Sequence, residues 1–146
     1  MTPRPDWHHL PENPYNPHAW IVGEPEIGPG CWIGAFAVID GSGGLVIGAG
    51  CTVTSGAQIY SHSTVRRELT AGAAEIETAR TVIGDRVHVG AGAIILMGCR
   101  IGTRVVIGAG TVIPQFTEIP DDALAVGVPA RIIPGGALRY QDLAGS

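Results

Sequence analysis

The sequence predicts an all-β chain wound as a parallel β-helix of six-residue repeats, and three observations predict it. Branched apolar residues recur every six positions: Ile21, Ile27, Ile33 and Ile39; then Ile47, Val53 and Ile59; then Ile83, Val89, Ile95, Ile101, Ile107, Ile113 and Ile119. The position two before most of these anchors is also restricted, as at Ala19, Cys31, Ala37, Cys51, Ala57, Val87, Ala93, Cys99, Val105 and Thr111. Gly follows many anchors directly (Gly28, Gly34, Gly48, Gly84, Gly90, Gly102, Gly108). A period of six suits neither an amphipathic helix, which needs about 3.6, nor a long strand, which alternates every two. It fits a short strand whose residues i−2 and i point inward, followed by a turn. Three such hexads close one coil, and stacked coils pair as parallel strands. Burying one Ile or Val anchor is worth roughly 1.5–3 kcal/mol, so fourteen of them can stabilise a chain with few aromatic residues.

Along the chain, residues 1–18 form a Pro-rich leader (Pro3, Pro5, Pro11, Pro14, Pro17) placed to cover one open end, where unpaired strand edges would otherwise be exposed. The β-helix runs over 19–134. Two extra residues in Gly41–Gly44 make a bulge at one corner. Between Ile59 and Ile83 the spacing is 24, so an excursion loop over 61–82 leaves the helix, and it is the polar, charged part of the chain. Long loops in compact repeats are usually functional. The tail, 135–146, covers the other end with a short helical turn at 138–143. The whole reads as one domain.

Composition narrows the function. The net charge of −4 excludes the basic face a nucleic-acid binder needs. No apolar run approaches the roughly 20 residues of a membrane span, and the leader lacks the apolar segment of a signal peptide, so cytoplasm is the expected address. Three cysteines, without CxxC or CxxxH spacing, fit neither a disulfide framework nor a zinc site. All three fall at the i−2 position and read as small core fillers, and no metal is expected.

The ladder (IGPGCWIGAFAVI and VIGDRVHVGAGAIILMGCRIGTRVVIGAGTVI) and the ending IPDDALAVGVPARII resemble the hexapeptide-repeat acyltransferases over about residues 19–134. The branch they look most like acetylates sugars, nucleotide-sugars and some antibiotics. The resemblance implies a left-handed helix, an exception to the right-handed crossover rule. It also implies a homotrimer with active sites between subunits, acetyl-CoA as co-substrate, and a general-base histidine at the start of the excursion.

Acetyl transfer needs a base for the acceptor's proton, and histidine titrates near neutral pH. His8, His9 and His18 sit in the leader. His62, where the ladder ends, matches the family's catalytic histidine, although Ser63 stands where relatives often carry an acid. Glu77, at the loop's return, matches an acidic position and is expected either to orient His62 or to hold the acceptor, with a solvated acid as the alternative. Glu75 stands near Glu77 at the loop's return, and Arg66 and Arg67 read as a wet loop, or as contacts to a phosphate of a nucleotide-sugar or of CoA. His88 precedes an anchor and should point outward, toward cofactor or solvent. For the cofactor, the resemblance implies the small corner residues Ala91, Gly92, Ala109 and Gly110, then Pro114 and Gln115. It also implies Arg131 for the phosphates; Pro134 replaces the family's second basic residue, for which Arg139 is a substitute. The asparagine of many sugar O-acetylating relatives corresponds to Gly56, which favours surface-polysaccharide or nucleotide-sugar chemistry.

Two other functions fit these residues less well. A γ-class carbonic anhydrase needs a second histidine five residues after His88, where Ala93 stands, and zinc needs that set of ligands. A non-catalytic β-helix would keep the ladder but has no use for the loop histidine together with the VGVPAR ending.

Overall fold

The computed structural model describes residues 9–143; His8, Pro3 and Pro5 of the leader, and the last three residues of the tail, lie outside the described residues. The repeat folds into three parallel sheets that form the faces of a β-solenoid. The first face stacks Trp20–Gly23, Val38–Gly41, Gln58–Ile59, Ile94–Ile95 and Val112–Ile113. The second stacks Glu26–Ile27, Leu45–Ile47, Thr81–Ile83, Arg100–Ile101 and Glu118–Ile119. The third stacks Trp32–Ile33, Thr52–Val53, His88–Val89, Val106–Ile107 and Leu124–Val126. Each anchor pairs with the anchor one coil on: Ile39 with Ile59, Ile59 with Ile95, Ile95 with Ile113.

The anchors from Ile33 to Ile119 are all buried, as are the small residues two places before them at Ala37, Ala57, Ala93 and Cys99. Ile21 and Ile27, on the first coil, are only partly covered. The cysteines behave as fillers: burial pushes the Cys51 thiol up to about 11 and raises Cys99. Their thiols donate to carbonyls of the next coil, at Gly84 and Pro114. Thr111, in a column otherwise filled by alanines, buries a hydroxyl with no partner among the described residues.

Both ends of the stack are closed. The first coil presents carbonyls that have no coil below them, and Asn16 Nδ2 donates to one of these, Ile33 O, at 3.3 Å. At the far end the chain reverses, so Arg131–Ile133 pairs antiparallel with Leu124–Val126; the parallel ladder therefore stops at Val126 rather than running to residue 134. The tail then forms a 3-10 helix, Gly136–Gln141, which folds back over the outside of the third face and buries Leu124 and Ala137.

Candidate active site

The ladder's two irregularities meet at one corner. The bulge after Ile39 and the excursion after Ile59 both leave the first face on the side of the second, one coil apart. Ser61 is fully buried between them. Its amide donates to Asp40 Oδ2 at 3.0 Å, and its hydroxyl donates to the Asp40 carbonyl at 2.7 Å and accepts from the Gly43 amide at 2.8 Å. This close approach requires glycine: a Cβ at Gly43 would lie 2.0 Å from the Ser61 carbonyl oxygen. Thr81 closes the neck, its hydroxyl donating to Tyr60 O and accepting from the Gly98 amide.

From this neck the excursion projects as a short antiparallel ribbon, His62–Ser63 against Glu77–Thr78, tipped by the helix Val65–Leu69, which buries no residue. His62 is thereby set with its ring against Asp40. Nδ1 donates to Asp40 Oδ2, and the Ser42 hydroxyl lies 3.4 Å from the same nitrogen. Asp40 is 2% exposed. Burial alone would raise its pKa, but hydrogen bonds from Ser42, the Ser61 amide and His62 outweigh that and hold it at about 2. An ionised acceptor on Nδ1 fixes the ring proton there and leaves Nε2 with a free lone pair. The His62 side chain is 34% exposed, open to a reactant, and Tyr60 packs edge-on against it with ring centroids 6.4 Å apart.

The ring's orienting partner is therefore Asp40, not Glu77. The Glu77 carboxylate instead meets Arg66 Nε at 3.2 Å, both side chains being exposed. Asp40 did leave a signal in the sequence: it stands directly after an anchor, where the ladder most often has Gly, at the foot of the two-residue bulge. Glu75 and Arg67 are exposed on the excursion.

The remaining candidates fall into two groups. Gln115 joins the His62 side, lining with Ser63, Arg66, Thr70 and Glu77 an open groove of about 410 Å³. Pro114 is beside it, at the same corner, with the strand Val112–Ile113 between this pair and Ala109. At the other end of the first face, His88, Ala91 and Ala109 line a second groove of about 600 Å³ together with Thr54, Val106 and Tyr140. Gly92 and Gly110 shape the rim, taking the left-handed φ of +66° and +69° that its turns require, with open space beside each. Among the described residues, the Ala91 and Ala109 amides and the His88 ring have no hydrogen-bond partner. Arg131 is exposed on the closing hairpin, outside both grooves. Arg139 is committed, its Nε donating to the Gly136 carbonyl at 3.0 Å.

Comparisons with known proteins agree with this architecture. Residues 80–115 match the family described as bacterial transferase hexapeptide (six repeats), and residues 26–61 match the hexapeptide repeat of succinyl-transferase. No curated protein matches the chain. Among solved structures, a hexapeptide-repeat-containing acetyltransferase of Vibrio cholerae is 32% identical over 75% of this chain and 61% of its own, with a TM-score of 0.64. The same Vibrio protein complexed with acetyl-CoA gives 28% identity over 73% and 63%, with a TM-score of 0.55. Serine acetyltransferase of Neisseria gonorrhoeae, in complex with serine, gives 27% identity over 73% and 39%, with a TM-score of 0.56. The chain thus spans less than two thirds of the length of these relatives. In its repeats the chain is thus similar to the hexapeptide-repeat transferases.

Proposed function

We propose that this hexapeptide-repeat chain transfers an acetyl group from acetyl-CoA to a hydroxyl or amine of a sugar or nucleotide-sugar, with His62 as general base. The carrying observation is the buried, ionised Asp40 on Nδ1 of a half-open histidine, placed at the corner where the ladder is interrupted. Nε2 takes the proton as the acceptor oxygen or nitrogen attacks the thioester carbonyl. The C–S bond then breaks, and the CoA sulfur leaves with the proton that His62 returns. Asp40 stabilises the imidazolium formed between these steps, and such a base contributes about 10²–10⁴-fold.

The polar groove beside His62, with Ser63, Arg66, Thr70, Glu77 and Gln115, suits a polyhydroxylated acceptor. The second groove, with its free corner amides, suits the amides of CoA's pantetheine arm. The two grooves lie at opposite ends of one face, so a cleft shared with a second copy would unite them. The excursion also carries apolar side chains for such a copy to cover: Val65 is 64% exposed, Leu69 83% and Ile76 49%. A closed homotrimer is the assembly this reading adopts, and Arg131 at its rim is the candidate phosphate contact.

Release of free CoA, measured across a panel of sugar and nucleotide-sugar acceptors, tests the reading. Turnover with at least one acceptor, abolished in His62→Ala, is expected. Undiminished turnover in that variant would remove His62 from its role. Millimolar acetyl-CoA should also raise the melting temperature, because a ligand of the native state alone stabilises it by mass action.

A further inference from the structure

We infer that Tyr140, on the returning C-terminal tail, is a ligand-contact residue that forms one wall of the slot for the pantetheine arm. This inference rests on the acetyl-CoA reading above. The outward side chains of the third face form a column: Thr52, His88, Val106 and Leu124 stand at the same register on successive coils. The tail lies along that column. Ala137, 5% exposed, and Gly136, whose Cα is against Leu124, anchor it at the top. An amide–carbonyl bond from Ala137 to Asp122 O, 2.9 Å, holds it there. Three residues on, Tyr140 reaches the level of Val106 and lines the groove with His88, Ala91 and Ala109.

The result is a slot with two unlike walls. One is the phenol ring, offered by a tail anchored elsewhere. The other is the small-residue corner, whose two alanine amides are unpaired among the described residues. The outward Val106 side chain forms an apolar floor, and the uncommitted His88 ring stands at its edge. Its size, about 600 Å³, falls within the range of small-ligand sites. An arm of alternating methylene and amide groups matches that lining, with methylenes on the ring and floor and amides on the corner. Tyr140 is 62% exposed, so it contributes little to the stack's own core. An aromatic ring left half open above an apolar floor is suited to a ligand that completes its burial.

Calorimetry with CoA and with S-acetylpantetheine as probes, on the full chain, tests this. Tyr140→Ala should weaken both about ten-fold, or about 1.4 kcal/mol, whereas Tyr140→Phe stays within about two-fold of the parent. The melting temperature should be unchanged, since the tail is held through Ala137. In turnover, KM for acetyl-CoA should rise with kcat retained, the opposite split from His62→Ala. Equal affinity of Tyr140→Ala and parent for both probes overturns the inference. So does a loss confined to CoA, which would put the ring on the nucleotide. A folded parent that binds neither probe overturns the acetyl-CoA reading itself.

Discussion

Along the three faces each structural task is repeated: Ile39, Ile59, Ile95 and Ile113 stack in one column and bury the same kind of side chain on successive coils. The corner that carries His62 repeats nothing. Asp40, Ser42, Gly43, Ser61 and Thr81 each occur once there; the first four hold one another through hydrogen bonds, and Thr81 ties the neck through the Tyr60 carbonyl. The contrast teaches where this chain keeps stability and where it keeps chemistry. A repeat stacks by nearest-neighbour contacts of similar worth, so its anchor columns take either Ile or Val, as where Ile33 pairs with Val53 and Val89 with Ile107. A corner assembled from single residues has no such reserve, and each member is tied to the geometry of the one reactive ring.

Substitutions can break that contrast. The largest effects are expected on catalysis at the corner: His62→Ala should lower kcat/KM by about 10²–10⁴-fold, with the melting temperature nearly unchanged. Asp40→Asn should lose activity of the same order because the ring loses its fixed tautomer. Steady-state CoA release reads both. In the ladder, Ile95→Ala removes a fully buried side chain from the middle of a column and should cost about 2–5 kcal/mol in urea denaturation. Activity per folded molecule should survive. A catalytic loss from Ile95→Ala without loss of stability would erase the distinction between the two regions.

Smaller effects sharpen it. Gly43→Ala drives a methyl into the Ser61 carbonyl and should cost about 1–3 kcal/mol as an overpacked contact. It should also cut activity by more than that instability explains, because Ser61 positions both Asp40 and the start of the excursion. The Asp40 pKa predicts a pH signature. Its folded value, about 2, lies below the ordinary 3.8, so its stabilisation is fully present above about pH 4 and is lost as pH falls through 2. The loss amounts to about 2 kcal/mol, from 1.36 kcal/mol per pKa unit. Acid titration of stability should show this step in the parent and lack it in Asp40→Asn.

The fold was legible in the sequence because the six-residue period is a property of consecutive residues. Any chain that places branched side chains at that spacing buries them by coiling, and the interruption after Ile59 marks itself by its length. His62 was legible for the same reason, as the histidine at the point where the period fails. Its partner was not, since Asp40 lies 22 residues earlier and comes alongside only when one coil stacks on the next. A charged side chain after an anchor marked the place, but Glu77, nearer the loop's return, competed for the same role. The separation of Gln115 from Ala109 and the fold-back of Tyr140 over Val106 were likewise invisible, because each depends on which corner a turn occupies. Local spacing thus determined by itself the period, the core and the site of interruption. Coil stacking and the reversal of the tail decided which side chains face one another, since those contacts join residues that no period relates.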